Sequence, residues 1–446
     1  MNLLRSFHVI RNWISLQGSL TAAKVASPET RKAMHLNTVE GAFAVAAENL
    51  AAPYLGLFAL ALGATPSQIG MLTAFPNLIG NILQIPAGLW SERMKDKRLL
   101  PIVGGYFARS TWALFALVPF LVPAQYRVGM VIILATFRIL AANIGVPAWT
   151  ALQADLIPRS IRGFYYANRN IATNVCAFLA TVAATLLLGI SFPINFVIIF
   201  AGATLLGLTA TYIFSKIEFQ QTPPKGKQVG TPFSAKVRSF WGEVGTQKPF
   251  RNYVLSSLIW NFGVTLASSL FVVYFVEDLG GAAGSWAVFS GVNLATQVLV
   301  QRYWGRLADV FGQKNVMLAS GIGVVVLPVL WWGTGNTWFP LFIYVLNGLA
   351  WGGYNLASFN LILEITPDDN RTVYVGSYNT LMGVATAVGP LVGGFAAEAI
   401  GLRPVFLGST VFRALGLYVL FRAVADTSQR RMEFRDLLPR GRSAGV

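Results

Sequence analysis

The sequence predicts an all-α membrane protein with twelve transmembrane helices in two pseudo-symmetric six-helix bundles. Three observations predict it: apolar runs of spanning length, basic residues confined to alternate connections, and loop motifs that occur once in each half.

Of the 446 residues, 54% are hydrophobic and only 12% charged, with a mean hydropathy of +0.57. A soluble domain carries roughly 25% charged residues, so this surface faces lipid over most of its area. The formal net charge is +16. In a soluble protein that excess would point to nucleic acid. Here the charges sit between apolar runs, where positive residues mark the cytoplasmic side of a membrane. No nucleic-acid partner is expected, and anionic lipids are expected against the basic face. A lone cysteine, Cys176, excludes an intramolecular disulfide, and two histidines, His8 and His35, leave too few soft ligands for a zinc site. No metal and no cofactor are expected.

A spanning helix needs about 20 mostly apolar residues. Such runs fall near 36–62, 67–91, 99–122, 127–152, 166–190 and 194–215, and again near 251–277, 285–307, 315–334, 338–363, 373–399 and 403–424. Ahead of them, residues 1–33 form a basic arm whose stretch 2–16 is too short and too basic to span. Two readings of it stand, an amphipathic helix on the cytoplasmic leaflet with Arg5 and Arg11 toward lipid phosphates, or a disordered tail. The polar segment 217–250, with Pro223, Pro224 and Pro232, separates a bundle over 34–216 from a bundle over 251–425, and a basic tail follows over 426–446. Lys and Arg crowd the arm, the connection at 93–98, this linker and the tail. Connections 63–68 and 333–338 have none. Both termini are therefore expected in the cytoplasm, with the plasma (bacterial inner) membrane as the location.

The second span ends in Gly88-Leu-Trp-Ser-Glu-Arg-Met-Lys-Asp-Lys97 and the eighth in Gly305-Arg-Leu-Ala-Asp-Val-Phe-Gly-Gln-Lys314. The fourth leaves through Asp155-Leu-Ile-Pro-Arg-Ser-Ile-Arg-Gly163 and the tenth through Glu364-Ile-Thr-Pro-Asp-Asp-Asn-Arg-Thr372. Acid, proline and arginine recur at one spacing, at nearly equal offsets in the two halves, which is the mark of an internal repeat.

With these motifs the chain resembles the major facilitator superfamily over residues 34–425. The stretch 305–314 looks like a full copy of that family's loop motif. The copy at 88–97 departs from it, with Trp90, Glu92 and Lys95 where the family has Leu, Asp and Gly. The resemblance implies that the acids brace neighbouring helix ends and stabilise an outward-open state. Gly88, Glu92, Arg93, Gly305, Asp309, Gly312, Lys314, Asp155, Arg162, Glu364 and Arg371 then read as gating residues.

Ionisable groups inside a span are costly and point to function. Glu48 in the first span, Arg109 in the third and Arg138 in the fourth fall near mid-depth, and Glu40 lies nearer the cytoplasmic side. In the resembled fold spans one, four, seven and ten line the cavity, which brings Glu48 toward Arg138. Desolvation favours a neutral carboxylate and a guanidinium favours a charged one, so such a pair can take up and release a proton. Glu48, Glu40 and Arg138 are the proton-coupling candidates. Against that stand a permanent structural ion pair, or Glu48 capping a kink before Pro53. Arg109, on a span that is peripheral in the resembled fold, reads as a packing or gate residue. Asn143, Trp149, Trp260, Asn261, Asn347, Trp351, Tyr354 and Asn355 are candidates for a mixed polar and aromatic substrate cavity, with interfacial anchoring and helix pairing as the alternative.

Gly389-Pro-Leu-Val-Gly-Gly394 in the eleventh span reads as a kink with small residues on one face. The resemblance places a similar motif in the fifth span of proton-coupled drug exporters, and the fifth span here lacks it. The chain has no Ser-His or His-Asp constellation for an interfacial enzyme and no Gly-rich loop followed by Lys-Ser/Thr for ATP. The expectation is a non-enzymatic, monomeric secondary transporter of a small organic solute, proton-coupled and working by alternating access. A lipid flippase or a passive facilitator on the same scaffold is the alternative.

Overall fold

Polar residues start the first helix earlier than hydropathy predicts. Ser27 accepts from the Thr30 amide at 3.2 Å, Pro28 takes the first helical position and Glu29 lies in the first turn, so α1 runs Pro28–Ala51. Pro53 has no amide hydrogen to continue the ladder, and its ring displaces the carbonyl one turn back. The span breaks into a 3-10 turn, Ala52–Tyr54, and a short α2, Leu55–Ala61. Gly63, at φ +90°, then reverses the chain. Thr65 and Gln68 cap α3 (Pro66–Arg93) reciprocally at 3.4 and 3.0 Å.

The computed structural model describes residues 27–94, 96–157, 162–218, 247–366 and 371–424, and within helices several side chains, those at 88, 92, 93, 155, 162 and 371 among them, are not described. Residues 1–26 of the N-terminal arm, with the stretch 2–16 for which two readings stand, Lys95, most of the linker and the basic tail lie outside it. Within unit 1 follow α4 (Leu99–Leu121), α5 (Arg127–Leu156), α6 (Arg162–Leu187) and α7 (Ile194–Ser215). Unit 2 contains α8 (Lys248–Ser268), α9 (Leu270–Glu277), most of α10 (Ala283–Phe311), α11 (Gln313–Gly333), α12 (Phe339–Ile365), α13 (Arg371–Ile400) and α14 (Leu402–Ala423). The described residues thus form two compact units, 27–218 with 282–288 and 247–281 with 289–424.

Each unit repeats one pairing scheme. In the first, α1 packs on α6 and α7, and α4 on α5 and α7; in the second, α8 packs on α13 and α14, and α11 on α12 and α14. The α3–α5 contact has its counterpart in α10–α12, where Trp304 donates its indole N–H to the Leu349 carbonyl at 2.8 Å. Span one is broken at α1/α2 and span seven at α8/α9, the same place in the repeat. Lipid gives no hydrophobic drive to pair helices, so close approach over small residues has to supply it. At Gly416 an added Cβ would stand 2.7 Å from the Trp260 amide nitrogen on α8. Gly389 and Gly393 face Thr265 and Leu266 in the same way. That packing accounts for the small residues of the eleventh span. Pro390, where the sequence places a kink, lies inside α13, which continues on both sides of it as one helix.

Nine helical stretches among the described residues are long and apolar enough to cross a membrane. Helices α3, α4 and α12 are not among them, and they carry Asn77 and Gln84, Arg109, and Asn347 and Asn355 respectively. Leu121, Leu186, Leu205 and Leu299 are each about 70% exposed or more, which fits a surface solvated by acyl chains.

Candidate functional site

On α1, Glu40, Ala44 and Glu48 are spaced four residues apart and share one face. That face forms a wall of a cleft of about 330 Å³ in the first unit, closed by Arg109 and Gly105 of α4, Gly145 and Trp149 of α5, and Arg169 of α6. Two ion-pair groups border it, one through Glu48 and one through Glu40, Arg109 and Arg169. Arg138 Nη1 donates to both Glu48 oxygens, at 2.9 and 3.1 Å. The guanidinium is buried and the carboxylate is 47% exposed, so one partner is fixed and the other opens to the cleft. Arg138 also lies 4.4 Å over the Trp112 ring, which is stacked on Phe200, and its Nε has no hydrogen-bond partner. The aromatic face stabilises a cation that few polar groups contact. The Glu48 carboxylate is thus engaged with Arg138, while the amide at the Pro53 break, that of Ala52, donates to the Glu48 backbone carbonyl.

Glu40 is the more buried acid and has two cationic partners. Its Oε1 is 3.5 Å from Arg109 Nη2 and its Oε2 is 3.7 Å from Arg169 Nη2. Charge-assisted bonds run at about 2.7–2.9 Å, so both contacts are loose. Arg109 donates more closely to Thr211 on α7. Arg169 is further held 6.0 Å from the Trp149 ring and 3.5 Å from the Asn37 carbonyl. Below it a fully paired polar knot joins three helices: the Asn37 and Gln153 amides exchange bonds at 2.8 and 2.6 Å, and Tyr165 bonds Asn37 at 2.7 Å and the Met34 carbonyl at 3.0 Å.

The predicted substrate-cavity residues separate into several environments. Trp149 lines the first-unit cleft, and Asn143 packs against Gly80 of α3. In the second unit Trp260 stacks on Tyr354 at 4.4 Å, with Trp351 edge-on to Tyr354 at 5.6 Å. Asn261 donates to the Ser257 carbonyl and to the Met382 sulfur, and Asn355 is exposed. Asn347 and Trp351 share a separate cavity of about 150 Å³ with Arg413.

Among the predicted gating residues, Asp309 and Glu364 are exposed. Gly312 has φ +81° between α10 and α11, a conformation that only glycine takes without strain. Buried Lys314 donates to the Phe421 and Val424 carbonyls at 3.0 and 2.7 Å, closing the end of α14. The side chains of Gly88, Glu92, Arg93, Asp155, Arg162 and Arg371 lie outside the described residues.

Two cations escaped the sequence reading. Arg169 lies a few residues inside its span and reads as an ordinary flanking charge, whereas Arg413 lies mid-span, and that depth was the available signal.

A family model described as Major Facilitator Superfamily matches residues 41–303 and 281–441. The chain belongs to the major facilitator superfamily. Solved superfamily structures share the fold. The nucleoside transporter NupG has a TM-score of 0.66 at 13% identity over 90% of this chain and 100% of its own. A D-xylose-proton symporter scores 0.61 at 13% identity over 90% and 99%. Among curated relatives, the Multi-drug resistance efflux pump PmrA of Streptococcus pneumoniae is 31% identical over 157 residues, 34% of this chain and 39% of its own. The Multidrug resistance protein MdtG of Enterobacter lignolyticus is 33% identical over 34% of this chain and 38% of its own. The match thus spans about two-fifths of those relatives. This superfamily member is accordingly an integral membrane protein.

Proposed function

We propose that this transporter moves a small organic solute by alternating access and is driven by protons, with Glu48 as the protonated group and Arg138 as its modulator. The observation that carries this reading is the pair itself. A half-exposed carboxylate lines a cleft and is held by a buried guanidinium that has no other acid among the described residues. Opening the cleft to water favours the ionised pair, and closing it raises the cost of charge, so protonation and access are linked. Glu40, between two loosely held guanidinium groups, is the second acid of the relay. The basic connections support a cytoplasmic position for both termini, in a bacterial cell and against anionic lipid. The lost motif of the fifth span weighs against the drug-antiporter branch, and the names of the curated relatives weigh for it. Direction of transport is therefore part of the test.

In proteoliposomes with an imposed pH gradient, Glu48→Gln is expected to abolish gradient-driven flux of a transported solute while sparing its gradient-free exchange. Unchanged pH-driven flux in Glu48→Gln would mean that Glu48 is a permanent structural ion pair. Flux in the wild type that ignores the gradient would make this chain a passive facilitator.

A further inference from the structure

Arg413, on α14 in the second unit, is a cation without a counter-ion among the described residues. It is 2% exposed, and no carboxylate among the described residues forms an ion pair with it. Its Nη1 donates to the Val324 carbonyl at 2.9 Å and its Nη2 to the Val264 carbonyl at 3.4 Å. The Nε is buried with no partner. A guanidinium has five N–H donors, so most of this one is unspent. Bracing α8, α11 and α14 through two carbonyls needs donors and no charge. A permanent charge in a desolvated place is costly unless something neutralises it.

The side chain lines the 150 Å³ cavity together with Asn347, Trp351, Trp331, Phe271 and Ser268. Trp331 and Phe271 stack at 5.2 Å and form an apolar aromatic wall. Asn347 already donates to Asn293 at 2.9 Å, which orients its amide. Ser268 is exposed, at the rim. A concave, mainly apolar space with a few convergent polar groups is what a small-ligand site looks like. A planar fork of donors suits a carboxylate or sulfonate.

We infer that this cavity is a binding subsite for the acid group of a small aromatic organic anion, with Arg413 as the anion contact and the Trp331–Phe271 wall holding the ring. The volume suits a single ring. This subsite names a substrate class for the proposed transporter, and rests on that reading only for the transport step after binding.

The test uses the full chain purified in lipid nanodiscs without a gradient, with benzoate as probe, benzamide as its uncharged counterpart, and chloride and phosphate as inorganic anions. Binding is read by tryptophan fluorescence and by the thermal midpoint. Benzoate is expected to bind saturably and at least ten-fold more tightly than benzamide. Arg413→Gln is expected to erase that preference. Ser268→Trp, which fills the rim and keeps Arg413, is expected to block benzoate whether or not Arg413→Gln folds. Equal binding of benzoate and benzamide, or benzoate binding that survives Ser268→Trp, overturns the proposal. So does competition by chloride or phosphate as strong as that by unlabelled benzoate. Because no gradient is present, failure of the coupling reading leaves these results untouched. Intact benzoate binding with no gradient-driven flux would count against coupling and not against the subsite.

Discussion

Glu40 holds two guanidinium groups on one carboxylate, and that ratio decides how substitutions there behave. Neutralising it leaves Arg109 and Arg169 facing each other across a desolvated gap, whereas removing one cation along with it restores part of the balance. Breaking a buried pair on one side costs about 3–5 kcal/mol, and replacing it whole costs much less. Glu40→Gln is therefore expected to lower stability more than Glu40→Gln combined with Arg109→Met. A double-mutant cycle on denaturant unfolding in mild detergent reads the difference. If the double variant is the less stable, Arg109 is a packing residue tied to Thr211 and the charges are independent. The sequence named Glu40 and Arg109 but neither their pairing nor Arg169, because hydropathy locates depth in the membrane and leaves rotation about a helix axis open. Arg169 faces inward only because α6 presents that side to α1.

Among the elements, α8 and α14 cross closely in the second unit, and Gly416 is where the backbone of one meets the other. Gly416→Leu has to push the helices apart or force its own side chain off rotamer. Overpacking of this kind costs about 1–3 kcal/mol, so a fall in the thermal midpoint is expected, with a matching loss of Trp260 burial in acrylamide quenching. An unchanged midpoint would mean that α8 and α14 adjust freely. The start of α1 gives the complementary lesson about legibility. The spacing of apolar residues places the helix near 36, but a helix ends where its hydrogen bonds find caps, and Ser27, Pro28 and Glu29 extend it several residues further. Hydropathy reports the lipid-facing part of a helix and capping chemistry reports its true length.

For the whole molecule, the distribution of positive charge predicts an orientation as well as a count of spans. An alkaline phosphatase fused after residue 446 is expected to be inactive in bacterial cells, and one inserted in the connection 333–338 active. The opposite pattern would reverse the assignment of the cytoplasmic side. The all-helical architecture and its repetition in two halves were readable because lipid demands long apolar runs and the paired loop motifs carry fixed spacings. The breaks in spans one and seven had unequal signals: Pro53 announces the first, but no proline marks the second, where Ser269 joins α8 to α9. The aromatic candidates of the second unit were harder to sort. Trp260, Trp351 and Tyr354 look alike in sequence, yet stacking buries Trp260 to 1% exposure and leaves Trp351 at the cavity wall.

The buried Lys314 amine closes α14 by holding the carbonyls of Phe421 and Val424. This sets a lower limit on how far the polypeptide can be trimmed from its C-terminal end. Cutting after Val424 keeps both acceptors, so a tag or reporter attached there has a fixed anchor. Cutting a turn earlier, before Phe421, removes both of these acceptors from the ammonium.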